Sequence, residues 1–134
     1  MSQRARGTFT VTVTPQPQEA GVGDPSIGRM ALHKVFDGEM TGTAHGQMLA
    51  VRGGVDGSAG YVAMDRVTAT LAGRSGTFAL QHSGVMDRGE RRLTIAVVPD
   101  SGTEALAGIA GSLDIQIVEG VHRYDFAYSL PDAD

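Results

Sequence analysis

A chain of 134 residues, 41% of them hydrophobic and with a formal net charge of −4, is expected to form one domain, residues 1–134, with a core of its own. An acidic balance with no basic cluster argues against nucleic-acid partners, and the absence of cysteine excludes a disulfide framework, a thiolate zinc site and a cysteine nucleophile. The opening Met1–Gly7 segment lacks the apolar run of a secretory signal and no later stretch approaches a membrane span, so a cytoplasmic location is expected.

Ten arginines against one lysine, no asparagine, and abundant glycine and alanine fit the codon usage of a GC-rich bacterial genome. From Gly7 to Thr14 threonines alternate with Phe9, Val11 and Val13, the period of a half-buried strand. Three prolines and two glycines between Pro15 and Ser26 mark a loop. A second strand over Gly28–Phe36 is predicted to turn at Asp37-Gly38, a type I′ signal, into a third over Glu39–Val51. That register puts His33 and His45 on opposite faces and Lys34 and Glu39 on one face, as an inward ion pair or a solvated rim pair, with the rim pair favoured. Gly42 and Gly46 inside the third strand predict bends or close backbone approach.

The clearest pattern is the hairpin from Gly60 to Met86, with its turn at Ala72–Gly76. Taking Arg74 and Ser75 as the loop places Leu71 opposite Phe78, Asp65 opposite Gly84 and Ala63 opposite Met86. One side then carries Tyr61, Ala63, Asp65, Val67, Ala69 and Leu71 with Phe78, Leu80, His82, Gly84 and Met86; the other is mostly polar. Asp65 and His82 share the apolar face as diagonal neighbours, about 7–8 Å apart at the backbone, close enough for their side chains to meet.

With Arg88-Gly89 as the next turn, Leu93, Ile95 and Val97 face Gly84, His82 and Leu80, extending the same apolar side. Pro99 ends that strand, and the capping-box spacing of Ser101–Glu104 predicts one short helical turn near 102–107. Glu119-Gly120 then joins Gly111–Val118 to Val121–Leu130, with Ile117, Ile115 and Leu113 facing His122, Tyr124 and Phe126. Eight antiparallel strands in up-and-down order predict a closed β-barrel, with a β-sandwich as the alternative.

The segments Lys34–Gly42, Ala59–Arg66, Gly73–His82, Pro99–Thr103 and Gly120–Tyr124 carry a resemblance to a family of uncharacterised bacterial domains classed with the allene-oxide-cyclase-like barrels. The resemblance implies an eight-stranded barrel and a glutamate where this chain has Asp65, one methylene shorter. A shared fold does not carry a reaction with it.

His82, Asp65, His122 and Tyr124 are therefore the candidate catalytic residues, as polar groups aimed into an apolar interior where histidine is the usual acid–base group. The same groups suit a satisfied core network that closes the barrel and fixes its register, the commoner role of buried polar groups. Tyr61, Leu80, His82, Ile95, Phe126 and Tyr128 are the candidate ligand-lining residues. His82, His122 and Asp65 match no metal-ligand spacing, no glycine-rich phosphate loop opens a helix, and no serine sits in a nucleophile elbow, so neither metal nor cofactor is expected. Ser101–Thr103 fits a cap better than an anion cradle.

Three functions fit this reading: a barrel that binds a small apolar ligand, a cofactor-free isomerase or cyclase using the same pocket with His82 or Tyr124 moving a proton, and a fully packed structural or interaction protein. Ala79, Val85, Ala96, Val98 and Val118 are expected on the outer surface, where they would support self-association into a homo-oligomer.

Overall fold

The structure is a computed structural model that describes residues 2–131; the ends of the predicted 1–134 span, residues 1 and 132–134, lie outside the described residues. Eight antiparallel strands follow one another around a closed barrel: β1 (Gln3–Pro15), β2 (Gly28–Gly38), β3 (Met40–Arg52), β4 (Ala59–Leu71), β5 (Arg74–Asp87), β6 (Glu90–Val97), β7 (Ala110–Val118) and β8 (Val121–Ser129). Closure comes from β1, whose Ala5, Gly7 and Phe9 lie opposite Phe126, Tyr124 and His122 of β8. The alternative sandwich is thereby set aside.

The period-two alternation of the sequence becomes an inside and an outside. On β4 the inner positions Ala63, Asp65, Val67, Ala69 and Leu71 are buried while Val62, Met64, Arg66, Thr68 and Thr70 are exposed. Two-residue turns at Ala72-Gly73, Arg88-Gly89 and Glu119-Gly120 have positive φ at both residues, the type I′ geometry that follows the twist of the flanking strands.

The last two of those turns keep the predicted registers, with Ile95 opposite His82 and Ile115 opposite Tyr124. The central hairpin differs. Its loop is Ala72-Gly73 rather than Arg74-Ser75, so Leu71 faces Arg74, Asp65 faces Leu80 and Ala63 faces His82. A type I′ turn favours glycine at its second residue, and Gly73 (φ 78°) fills that place, whereas Arg74 and Ser75 lie within the strand. The register slips by four residues on β5, an even number, so every side chain keeps its face, and Asp65 and His82 remain diagonal neighbours along the opposite diagonal.

The turn after β2 departs further. Asp37 and Gly38 stay in register with Thr8 and Gly7 of β1, and the chain reverses later, so that Phe36 lies opposite Gly42. The connection is odd in length, and His33 and His45 consequently face each other directly, ring centroids 4.7 Å apart on the exposed surface. The predicted opposite faces are corrected by this bend. Its cause is tertiary: the backbone of Asp37 and Met40 is gripped by Tyr124, and the Glu39 amide donates to the Arg6 carbonyl.

One end of the barrel is sealed. After β6 the chain runs along β5, through Thr103 N–H to Thr77 O, and makes a 3-10 turn over Glu104–Leu106 that drives Leu106 and Ile109 into the core. The expected capping box does not form there. Ser101 Oγ instead accepts the Ala79 amide and donates to Val98 O, while Thr103 Oγ1 accepts the Thr77 amide. Above this plug, Phe78, Phe126, Tyr128, Phe36 and Tyr124 fill the lower barrel, with Phe78 and Phe126 stacked at 5.7 Å.

The other end is open. Val13 and Ile117 occupy inner-face positions at the upper rim, yet are 45% and 49% exposed. On the outer surface, Ala79 is buried beneath Ser101 and Ala96 and Val98 are half-buried, so of the five residues expected there only Val85 and Val118 are exposed.

Candidate functional site

The inner face below the open end carries the three buried polar or charged residues of the described chain: Lys34, Asp65 and His82. Alternation fixes where each points. Lys34 lies between Leu32 and Phe36 on the inner face of β2, Asp65 between Ala63 and Val67 on β4, and His82 between Leu80 and Gly84 on β5.

Lys34 reaches over β3 and donates from Nζ to Asp65 Oδ2 at 2.7 Å. The residues of β3 beneath that path are small, Ala44 and Gly46. A side chain at Gly46 would collide with Asp65 Oδ1 and with the Met64 carbonyl, so this glycine creates the space the carboxylate occupies. His82 Nε2 stands 2.9 Å from the same Oδ2. The contact is a close approach in which Nε2 makes no well-aligned hydrogen bond. Asp65 Oδ1 has no hydrogen-bond partner among the described residues.

Burial alone would raise the Asp65 carboxyl, but His82 and the Lys34 charge and hydrogen bond outweigh it and hold the group below its ordinary 3.8. Asp65 is therefore ionised at neutral pH, an anion clasped by a cation on one side and an imidazole on the other. The chain's only lysine forms this pair; the ten arginines all lie outside the buried set. Lys34 is not the rim partner of Glu39 that the sequence suggested, because Glu39 turns away to accept the Arg6 amide at 2.8 Å.

Tyr61 sits above this group at the open end, half-buried, its ring over Gly84, where any Cβ would meet it. Burial pushes its phenol up, the Arg91 charge opposes that, and the Asp65 charge adds to it; the net effect keeps Tyr61 a neutral donor. Around it the inner-face residues Met30, Met48, Ala50, Ala59 and Met86 line a cleft of about 540 Å³. Asp65 lies two inner positions farther in along β4, beneath this cleft rather than on its wall.

The remaining candidates fall elsewhere. His122 points inward and packs its ring 5.1 Å from Phe9, and Lys34 Nζ stands over the same ring, 5.8 Å from its centre. In strand order Phe9 of β1 lies between His122 of β8 and Lys34 of β2. Tyr124 is buried at the lower level, and its hydroxyl accepts the Met40 amide at 2.9 Å and lies within reach of the carbonyls of Met40 (2.8 Å) and Asp37 (3.0 Å), to either of which its proton goes. Burial raises its phenol, the Met40 bond opposes that, and the Glu39 and Asp37 charges add to it. Phe126 and Tyr128 belong to the packed lower core, Tyr128 donating to Gln3 Oε1 at 2.9 Å. Leu80 and Ile95 are buried next to His82. Among the described residues no cluster of three or more His, Asp or Glu could hold a metal ion.

The signal that could have revealed Lys34 was present: it shares a face with Leu32 and Phe36, and it is the one lysine of a chain that otherwise uses arginine.

Fold and site together define a closed eight-stranded barrel, plugged at one end, with a buried lysine–aspartate–histidine group beneath an apolar mouth. Residues 5–128 match the family described as Protein of unknown function (DUF3224), and the chain belongs to that family. Its structure is similar to the crystal structure of a protein of unknown function from the DUF3224 family of Shewanella oneidensis MR-1, with 41% identity, a TM-score of 0.90, and coverage of 99% of this chain and 100% of that one. No curated protein matches the chain.

Proposed function

We propose that this protein binds a small, mainly apolar molecule at the open mouth of the barrel. The observation that carries this is the asymmetry of the two ends. Leu106 and Ile109 close one, whereas at the other Val13 and Ile117 face inward and remain open to solvent. Inward apolar surface without a cover is costly for a soluble barrel and is the usual mark of a ligand site. The methionines of the mouth suit such a role, since unbranched thioether side chains adapt to the shape of an occupant.

A methionine-methyl NMR titration with naphthalene as the apolar probe tests this reading. The expected outcome is that Met30, Met48 and Met86 shift together, while Met40 in the sealed core and Met64 on the outer surface stay in place. Shifts confined to Met64, or none at saturation, would refute a mouth site. Native mass spectrometry of freshly purified protein would show in parallel whether an apolar molecule co-purifies and whether the protein is a monomer or the expected homo-oligomer.

Cofactor-free isomerisation or cyclisation in the same place is the second reading. The likeness to allene-oxide-cyclase-like barrels supports it by fold-level analogy, and His82, with Nε2 poorly partnered beside a carboxylate, is the group suited to move a proton. Tyr124 is not suited to that task, because its hydroxyl is engaged by backbone.

A further inference from the structure

We infer that the ligand of the mouth carries a neutral hydroxyl, as an alcohol or phenol, which donates its proton to Asp65 Oδ1. This rests on the mouth reading and specifies its chemistry.

Three observations lead to it. Asp65 Oδ1 belongs to an ionised carboxylate that is almost fully buried, and it accepts nothing from the described residues. A buried carboxylate oxygen is an acceptor only and is costly to leave without a donor. The missing partner is therefore a donor, which excludes a ligand carboxylate, ketone or ether at this position.

Charge narrows the class. The other carboxylate oxygen already holds the Lys34 ammonium at 2.7 Å. A second cation on Oδ1 would stand a few ångströms from Nζ in a poorly solvated interior, where like charges repel strongly. A neutral O–H meets no such repulsion, and an apolar body carrying a single hydroxyl matches the methionine-lined surface above.

Position allows the contact. Oδ1 lies in the space that a side chain at Gly46 would fill, on the inner wall of β3. The next inner-face residue toward the mouth on that strand is Met48, which also lines the cleft. Along β3 the side chain between the cleft and Oδ1 is therefore Met48, an unbranched thioether of the kind that adapts to an occupant. Tyr61, a neutral phenol at the rim, lines the same cleft on the adjacent strand.

Matched probes test the inference: 2-naphthol, 2-methoxynaphthalene and 2-naphthoate share one apolar skeleton and differ only in the polar group. Titrated by calorimetry into wild-type protein, 2-naphthol is expected to bind at least about tenfold more tightly than either other probe. In wild type the single lysine gives one assignable ammonium signal beside the site, and 2-naphthol but not 2-methoxynaphthalene should shift it. Asp65→Asn should remove the preference for the hydroxyl, and the wild-type lysine signal decides the matter if that variant does not fold. Equal binding of 2-naphthol and 2-methoxynaphthalene would overturn the hydroxyl inference and leave the apolar mouth standing. Tighter binding of 2-naphthoate would replace it with an anion site. Failure of all three to bind would remove the mouth reading itself, and the inference with it.

Discussion

Lys34 and Asp65 are two strands apart, yet Lys34 Nζ lies 2.7 Å from Asp65 Oδ2, spanning β3 above Ala44 and Gly46. Both side chains are almost completely withdrawn from solvent, 8% and 0% exposed. Such a pair recovers its desolvation cost only when its geometry is good and its remaining polar atoms are satisfied. Here one carboxylate oxygen accepts from Lys34 Nζ with His82 Nε2 crowded against it, and the other has no hydrogen-bond partner among the described residues.

Breaking the pair from one side should accordingly be severe. Asp65→Asn leaves the Lys34 charge buried with a weak partner, and a loss of about 3–5 kcal/mol is expected in urea denaturation at neutral pH. Replacing both partners, as Lys34→Met with Asp65→Leu, should return most of that loss. Single and double variants of equal stability would show that the pair is not energetically coupled.

The pair also sets an acid limit. The folded-state carboxyl of Asp65 is depressed, so its contribution to stability is complete above the unfolded value near about 3.9 and is lost as pH falls through the lower folded value. The stability gap between wild type and Asp65→Asn should therefore be constant from about pH 7 to pH 5 and narrow below about pH 4. Chemical denaturation across that range reads the difference directly, and a gap that widened in acid would contradict the assignment.

Tyr124 holds the bend after β2 from across the barrel. Tyr124→Phe removes the acceptor of the Met40 amide and the donor to the Asp37 or Met40 carbonyl in a buried place, at an expected cost of about 1–3 kcal/mol. Hydrogen exchange should localise the effect: the Met40 amide loses protection, while amides of the β5–β6 ladder change only with global stability.

Two glycines distinguish backbone crowding from side-chain crowding. At Gly46 a methyl meets the Met64 carbonyl and Asp65 Oδ1, neither of which can move without opening the β3–β4 ladder or the ion pair. Gly46→Ala should cost about 2–3 kcal/mol. At Gly84 the atoms nearest the methyl belong to the Tyr61 ring, which stands at the open mouth and can swing outward. Gly84→Ala should stay within about 1 kcal/mol of wild type and instead change Tyr61 fluorescence and access to the mouth.

Much of the barrel is legible in the chain because alternation is a local property. Phe9-Val11, Leu113-Ile115-Ile117 and Tyr124-Phe126-Tyr128 mark their inner faces without reference to any neighbour, and Arg88-Gly89 and Glu119-Gly120 pin two registers through turn chemistry alone. Asp65 and His82 could be paired from sequence for the same reason: they sit on adjacent strands of one hairpin, and the four-residue slip only exchanges one diagonal for the other.

What the sequence by itself determined, then, is which side chains turn inward and that eight strands follow in order. The tertiary structure decided what those side chains meet. The third member of the buried group is two strands from Asp65, and its reach depends on Gly46 and Ala44 being small on the strand between. The bend after β2 depends on a hydroxyl 84 residues away. Which end is open depends on where the 3-10 turn folds back beneath β5. Each is a contact between segments remote along the chain, set by closure of the barrel. A periodic pattern carries the direction of a side chain and nothing about the distance to its partner.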